Sequence, residues 1–196
     1  MTVFFTADLH LGHARVIEYC RRPFKHVDEM NKQLIARWNA RVSNHDDVYI
    51  LGDVALCRPE QALAFVRGLN GRKFLVFGNH DKPNRKHYDR SEAVGRNGGL
   101  FEWLKDLAQV KIPDVDAPNG VRQVVLCHYP LMTWNKSHHG SWHLHGHCHG
   151  SLKDDSHSRR IDVGVDCHDY APVSYDEVKA LMAKKLWKPI DHHGAD

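Results

Sequence analysis

Four short, continuous runs of apolar residues divide the chain, and each is rich in β-branched or aromatic side chains. The runs cover residues 2–7 (TVFFTA), 47–51 (DVYIL), 73–77 (KFLVF) and 123–127 (QVVLC). Continuous rather than alternating apolar character is typical of central strands that are covered on both faces of a sheet. We therefore predict a strand at each of these four positions.

Helical patterns fill the gaps between the first three runs. Residues 28–42 (DEMNKQLIARWNARV) carry apolar side chains at helical spacing, with Asp28 as the expected N-cap. Residues 59–71 (PEQALAFVRGLNG) predict a second helix, because Pro59 suits a first helical turn and the glycines suit the helix end. The succession strand, helix, strand, helix, strand indicates an α/β fold.

The second half of the chain has a different pattern. Residues 110–128 predict two strands joined by a turn at 117–120, and residues 141–147 and 159–166 predict further strands. These additional strands favour a layered sheet structure with helices on the outside.

The remaining segments give weaker signals. A final helix is expected to begin at Ser174, which has capping-box spacing to Glu177, and to continue as far as residue 187. Residues 83–108 match no element clearly, and within them 95–99 (GRNGG) indicate a turn or mobile loop rather than a P-loop. We expect the tail at 191–196 to be frayed.

The length of 196 residues suits a single domain, residues 1–196. The composition is that of an ordinary globular protein, because 42% of the residues are hydrophobic and 26% are charged. The net charge of +3 gives no strong nucleic-acid signature. Five scattered cysteines without a C-x-x-C pair indicate reduced thiols and a cytoplasmic location. We expect neither a signal peptide nor a membrane-spanning stretch. The strongest bias is histidine, with 17 copies, and neutral imidazole is a good metal ligand.

Side chains that can bind a metal follow each of the four predicted strands. Asp8 and Asp53 come after the first two, Asn79 after the third and His128 after the fourth. In open α/β sheets, ligands bind outside the carboxyl ends of the strands. A single Asp after a strand is usually a turn residue, but four such residues together indicate a shared site.

Local spacings extend this group. Asp8 and His10 are two residues apart, as are His147 and His149, and in an extended chain such pairs share one face. His145 has the same parity as His147 and could contact a substrate phosphate or simply fill the strand. The donors are carboxylate, amide and imidazole groups without a thiolate, which suits Mn, Fe or Zn rather than a structural cysteine-zinc site. Seven donors are too many for one small ion and suit two ions that share a carboxylate. The candidate ligands are Asp8, His10, Asp53, Asn79, His128, His147 and His149.

The sequence resembles the calcineurin-like metallophosphoesterases, in particular small bacterial or phage-type members. It carries in order DLH (8–10), GD (52–53), GNHD (78–81), a lone histidine in LCHYP (126–130) and GHCH (146–149). The motifs span about the first three quarters of the chain, and all five are intact. The resemblance implies a layered β-sandwich flanked by helices.

The resemblance also implies roles for individual residues. Asp53 would bridge two ions, and His80 would face the phosphate and assist the leaving group, with Asp81 orienting His80. The first ion would be held by Asp8, His10, Asp53 and His149, and the second by Asp53, Asn79, His128 and His147.

The expected activity is hydrolysis of phosphate esters by a hydroxide that bridges two divalent ions, most favourably Mn, with Fe, Zn or Ni as alternatives. We expect small phosphodiesters resembling cyclic nucleotides, with small phosphomonoesters as the alternative. A nuclease or a non-enzymatic binding module on the same fold is less favoured. Neither the oligomeric state nor the physiological substrate is indicated. Candidate substrate contacts are His13, His145, Arg22 and Arg85.

Overall fold

The computed structural model describes residues 1–90, 94 and 99–188, and within them the chain forms two β-sheets flanked by helices. The nine strands are β1 (Val3–Thr6), β2 (Asp47–Leu51), β3 (Arg72–Val76), β4 (Trp103–Lys105), β5 (Leu107–Pro113), β6 (Val121–Cys127), β7 (Trp142–His145), β8 (Arg160–Asp162) and β9 (Val173–Ser174). The five α-helices are α1 (Arg15–Tyr19), α2 (Val27–Arg41), α3 (Pro59–Arg67), α4 (Lys82–Tyr88) and α5 (Tyr175–Met182). The predicted layered α/β class is confirmed.

Strand order explains why the four apolar runs are continuous. The first sheet has the order β4-β3-β2-β1-β9, with β1 to β4 parallel and β9 antiparallel to β1. The second sheet has the order β5-β6-β7-β8, in which β5 and β6 form the antiparallel hairpin predicted from the sequence. The four predicted strands are β1, β2, β3 and β6, and none of them is an edge strand.

Strands β1, β2 and β3 divide their side chains between two layers. The core between the first sheet and the helices includes Phe4, Ile50, Leu75, Leu34 and Trp38. The core between the two sheets includes Phe5, Leu51, Val76, Val124, Leu126 and Leu144. Adjacent residues of β1, β2 and β3 therefore enter opposite cores, so both faces of the strands require apolar side chains.

Two helix ends differ from the sequence predictions. The N-cap of α2 is His26, whose Nδ1 accepts the amide of Glu29 at 3.2 Å, and Asp28 lies inside the first turn. The carboxylate of Asp28 is still favourable there because it lies near the positive end of the helix dipole. The prediction of Asp28 as the cap was therefore wrong by two positions.

The final helix has the predicted capping box, since Ser174 accepts the amide of Glu177 and the Glu177 carboxylate accepts the Ser174 amide. The helix ends at Met182 rather than at residue 187. Beyond it, the Leu186 amide donates to the Ser156 carbonyl at 2.8 Å. Pairing with a distant loop thus replaces the helical hydrogen bonds that the local pattern predicted.

The segment at residues 83–108, which matched no element, begins within α4, the helix that follows GNHD, and also contains β4. Of the loop predicted at 95–99, residues 95–98 lie outside the described part of the chain, as does the tail at 191–196. Among the described residues, no helix combines the length and apolar character needed to cross a membrane.

Candidate metal centre

The carboxyl ends of the central strands bring the predicted ligands together. The Asp8 amide donates to the Gly52 carbonyl at 3.0 Å, and the His10 amide donates to the Asp53 carbonyl at 2.9 Å. The loop after β7 joins them, because the His147 amide donates to Asp8 Oδ2 at 2.8 Å. Strand ends that lie far apart in the sequence therefore form one site.

The ligands stand on turns, and several have left-handed backbone conformations. Non-glycine residues with positive φ are uncommon, cost about 1–3 kcal/mol each and cluster at functional sites. The five candidate ligands with positive φ are Asp8 (57°), His10 (53°), Asp53 (56°), His147 (72°) and His149 (47°). The extended-chain parity proposed for Asp8 with His10, and for His147 with His149, was therefore wrong. Strand β7 ends at His145, so His147 and His149 both lie beyond the strand.

A first group of donors consists of Asp8, His10 and His149, whose ligand atoms lie within 4.8 Å of one another. Asp8 Oδ1 and both ring nitrogens of His10 are buried without a hydrogen-bond partner. Buried polar atoms without a partner are costly, so proteins rarely keep them without a use. A divalent cation would supply the missing partner, and the donor set fits one.

A second group surrounds Asn79. Asn79 Oδ1 lies 3.0 Å from His128 Nε2 and 3.0 Å from His147 Nδ1. His128 Nδ1 donates to the Leu51 carbonyl at 2.7 Å, which leaves Nε2 as the acceptor nitrogen facing the group. Metal-binding histidines are commonly oriented in this way by a carbonyl on the other ring nitrogen.

Asp53 lies between the two groups. Its Oδ2 is 3.5 Å from His10 Nε2 and 3.5 Å from His128 Nε2. Its Oδ1 accepts the amide of His80 at 2.8 Å, which fixes the carboxylate plane. One oxygen therefore faces both donor groups.

The electrostatics of the site favour added positive charge. Burial raises the pKa of Asp8 well above its usual range, and the neighbouring carboxylates of Asp162 and Asp53 raise it further. Burial lowers the pKa of His10 to about 2, and His149 and Arg22 lower it as well. Crowded acids beside neutral imidazoles are the arrangement expected of a cation-binding site.

His80 and Asp81 lie beside the first group but do not pair with each other. The His80 ring centroid is 5.2 Å from that of His10. The buried Asp81 carboxylate accepts the amides of Asp53 and Gly78, each at 2.8 Å, and that of Val54 at 3.0 Å. Three backbone amides thus hold its oxygens, and the orientation of the His80 ring by Asp81 stays a prediction. Its place is to fix the turn that carries Asp53.

Two of the four expected substrate contacts are buried. Arg22 was expected at the mouth of the site, but its side chain is fully buried, and it donates to Asp166 and to the carbonyls of Asp8 and Leu9. That expectation was wrong. His145 is also buried, with Nδ1 donating to the Gly146 carbonyl at 2.9 Å, and it lines a cavity of about 410 Å³ behind the metal-site loop.

The other two lie closer to open space. The His13 ring is half-buried and its centroid is 5.4 Å from that of His10. Arg85 covers the Phe77 ring at 4.1 Å and donates to Asp106 at 2.7 Å. Arg85 also lines a cavity of about 160 Å³ beside Asn79.

Sequence reasoning missed Asp166. Its Oδ2 accepts the His149 Nδ1 hydrogen at 2.7 Å, and it lies in a 3-10 turn, four residues after the end of β8. An acid near the end of a predicted strand was the available signal, but its partner could not be inferred.

Two glycines allow the turns to approach this closely. A Cβ at Gly78 would lie 2.2 Å from Asp53 Oδ1, and one at Gly146 would lie 2.4 Å from the Ala7 Cβ and 2.6 Å from Asp8 Oδ2. The glycines of GNHD and GHCH therefore serve close packing against the ligands.

Comparisons with known proteins identify the family of this chain. A family model described as calcineurin-like phosphoesterase matches residues 1–164. The gene 66 protein of Mycobacterium phage L5 is 33% identical over 194 residues, covering 91% of this chain and 93% of that protein. The uncharacterised protein MJ1445 of Methanocaldococcus jannaschii is 32% identical over 189 residues, covering 93% of this chain and 92% of that protein.

A solved structure shares the fold. The crystal structure of AQ665 from Aquifex aeolicus, a protein of unknown function, superposes with a TM-score of 0.65 at 21% identity and covers 92% of this chain and 98% of that one. At this identity the likeness concerns the fold alone. The family match, by contrast, extends over all five motifs, and two relatives above 30% identity span nearly the whole chain. The protein therefore belongs to the calcineurin-like phosphoesterase family.

Proposed function

We propose that this chain hydrolyses small phosphodiesters with two divalent ions held between the strand ends. Membership of the family implies metal-dependent phosphoester hydrolysis, and the number of ions and the diester preference are our proposal. The observation that carries it is the position of Asp53 Oδ2, which is 3.5 Å from both His10 Nε2 and His128 Nε2. A carboxylate oxygen between two donor groups is suited to bridge two cations.

The donors define the ions that would fit. Oxygen and nitrogen ligands without a thiolate favour Mn²⁺, with Fe, Zn or Ni as alternatives. When bound, the ions would neutralise phosphate oxygens and activate a water for attack on phosphorus. Asp8, His10, Asp53 and His149 would hold one ion, and Asp53, Asn79, His128 and His147 the other.

We propose that His80 donates the proton to the leaving group. Its amide is anchored on Asp53 Oδ1, and its ring lies beside those of His10 and His13, with centroids 5.2 Å and 6.1 Å away. The anchor fixes the backbone of His80, and the ring lies at the rim of the first donor group, where it would give a proton to the departing oxygen. General acid catalysis of this kind contributes about 10²–10⁴-fold in rate.

Charge around the site supports a small, singly charged substrate. The cavity beside Asn79 is lined by Lys82, Arg85 and Tyr129. Two hydrogen bonds to Asp106 compensate the charge of Arg85, so Lys82 is the remaining cation of that cavity. A phosphodiester carries one negative charge, whereas a nucleic acid would need a longer basic track.

The test is hydrolysis of bis-p-nitrophenyl phosphate and p-nitrophenyl phosphate by protein that is first chelated and then given Mn²⁺, Ni²⁺, Zn²⁺ or Mg²⁺. We expect metal-dependent turnover that favours the diester. His80→Ala should lower it by about 10²–10⁴-fold while both ions still bind. His45→Ala is the matched control, because His45 is exposed in the loop before β2, at the opposite end of that strand.

The outcomes separate the parts of the proposal. Preference for p-nitrophenyl phosphate would make the chain a phosphomonoesterase. Full activity of His80→Ala on both substrates would remove His80 from the mechanism. Uptake of two ions without turnover on either ester would point to a binding module.

A further inference from the structure

We propose that one buried guanidinium, that of Arg22, preassembles the first metal site, and that it does not act on the second. This inference rests on the proposed two-ion site. Arg22 touches none of the proposed ligand atoms directly. It acts as a positioning residue through backbone carbonyls and through Asp166.

One set of contacts holds the turn after β1. Arg22 Nη2 donates to the Asp8 carbonyl at 2.6 Å, and Nη1 donates to the Leu9 carbonyl at 2.9 Å. These carbonyls belong to the turn in which Asp8 and His10 have left-handed backbones. Left-handed conformations persist only when surrounding contacts hold them, and charged donors are the stronger hydrogen-bonding partners.

A second set of contacts holds His149. Arg22 Nε and Nη2 donate to the two oxygens of Asp166, each at 2.8 Å, and the Asp166 side chain is 6% exposed. Asp166 Oδ2 also accepts the His149 Nδ1 hydrogen at 2.7 Å. With Nδ1 occupied in this way, His149 offers Nε2 to the first site. All three members of the Asp8, His10 and His149 group are therefore fixed through Arg22.

The second site is held by different groups. His128 is oriented by the Leu51 carbonyl at 2.7 Å, and Asn79 lies at the start of the 3-10 turn that precedes α4. The hydrogen bonds of Arg22 end on Asp8, Leu9, Met30 and Asp166. Loss of Arg22 should therefore affect the two sites unequally.

Because Arg22 is charged, the first metal site should need Asp166 as much as it needs Arg22. A fully buried cation beside a cation site would repel the ion, and buried charges are tolerated only when paired. The bidentate contact with Asp166 compensates the guanidinium and leaves its geometric effect in place. Removing the carboxylate should thus weaken the same site as removing the guanidinium.

The experiment is calorimetric titration of chelated protein with Mn²⁺ for wild type, Arg22→Lys and Asp166→Asn. We expect one of the two ions to bind about 10- to 100-fold more weakly in both variants, while the other changes little. Arg37→Lys is the control, because Arg37 pairs with Asp169 at 2.9 Å on the surface, with side-chain exposures of 37% and 93%.

A second readout needs no metal. In metal-free protein labelled with ¹⁵N at histidine, the His149 Nδ1–H signal, assigned with His149→Ala, should be protected in the wild type and lost in Asp166→Ala, which removes the acceptor oxygen. Equal weakening of both ions in folded protein, or unchanged binding in both variants, would overturn the positioning role. A wild type that takes up fewer than two ions would overturn the proposed two-ion function and this inference with it. A retained Nδ1–H signal in Asp166→Ala would overturn the relay through Asp166 even if metal binding fell.

Discussion

Two buried aspartates show opposite uses of a carboxylate. Asp8 lies at the end of β1 and is fully buried, and its Oδ1 has no hydrogen-bond partner. Asp114 lies just beyond β5, and its oxygens accept the Tyr175 hydroxyl at 2.7 Å and the Lys179 ammonium at 2.6 Å. Burial raises the pKa of Asp8, whereas hydrogen bonds to Asp114 outweigh its burial and lower its pKa to about 2.

The comparison separates residues that hold the fold together from residues kept for binding. The partners of Asp114 come from the chain itself, so its charge stabilises the folded state. Asp8 accepts one backbone amide, that of His147, but among the described residues it has no positively charged partner and it is surrounded by other acids, so its charge destabilises the metal-free folded state. Active sites commonly retain unfavourable contacts of this kind at the expense of stability.

The largest expected effect comes from the bridging position. Asp53→Ala removes the oxygen that faces both donor groups, so we expect turnover to fall by about 10⁴-fold or more. Binding of both ions should weaken, as measured by titration calorimetry. The melting temperature of metal-free protein should change little by comparison. Turnover near the wild-type level would contradict the bridging role.

A backbone change tests how closely the turns pack. Gly146→Ala places a Cβ 2.6 Å from Asp8 Oδ2 and 2.4 Å from the Ala7 Cβ. Because a misplacement of about 1 Å can lower a rate about 10²-fold, we expect a loss of that order with weaker binding of the first ion. Gly120→Ala is the control, since a Cβ there meets nothing within 4 Å, although its positive φ adds modest strain. Equal activity of the two variants would contradict the importance of this contact.

Asp114→Asn should destabilise the fold without lowering turnover at temperatures where the protein stays folded. The change leaves Lys179 and the Tyr175 hydroxyl with a weaker acceptor, so we expect a loss of about 1–3 kcal/mol in the free energy of unfolding. Urea denaturation at pH 7 measures it. A stability equal to that of the wild type would mean that the hairpin does not depend on this carboxylate.

The lowered pKa of Asp114 predicts that the folded protein loses stability in acid. Its pKa is lowered from 3.8 to about 2 by folding, so its contribution is fully present above about pH 4 and is lost as the pH falls toward 2. The difference between wild type and Asp114→Asn should therefore shrink as the pH falls from about 4 to about 2. A constant difference over that range would contradict the lowered pKa.

The smallest effect has the opposite sign. In chelated protein, Asp8→Asn removes a buried, uncompensated charge, and we expect the free energy of unfolding to rise by about 1 kcal/mol. Added Mn²⁺ should reverse the order, because the wild type gains stability from a bound ion. Thermal melts with and without metal measure both. If Asp8→Asn lowered the stability of metal-free protein as Asp114→Asn does, the contrast between the two aspartates would fail.

The sequence determined the strands and the location of the site. Residues 47–51 and 73–77 are continuous apolar runs because both faces of β2 and β3 are buried, and this requirement is visible locally. Asp53 and Asn79 each follow one of those runs after a single glycine, so the strand-end rule included both in the predicted site.

Tertiary structure alone decided how the ligands are held. The left-handed turns at Asp8 and His149 have no local signature, since neither residue is a glycine. Arg22 and Asp166 are 144 positions apart, and only the folded chain makes one a buried partner of the other rather than a surface charge. Asp81 likewise accepts the backbone amides of Asp53 and Val54, which follow the neighbouring strand β2. Apolar periodicity is encoded in neighbouring residues, whereas the partner of a buried charge is set by the packing of distant segments.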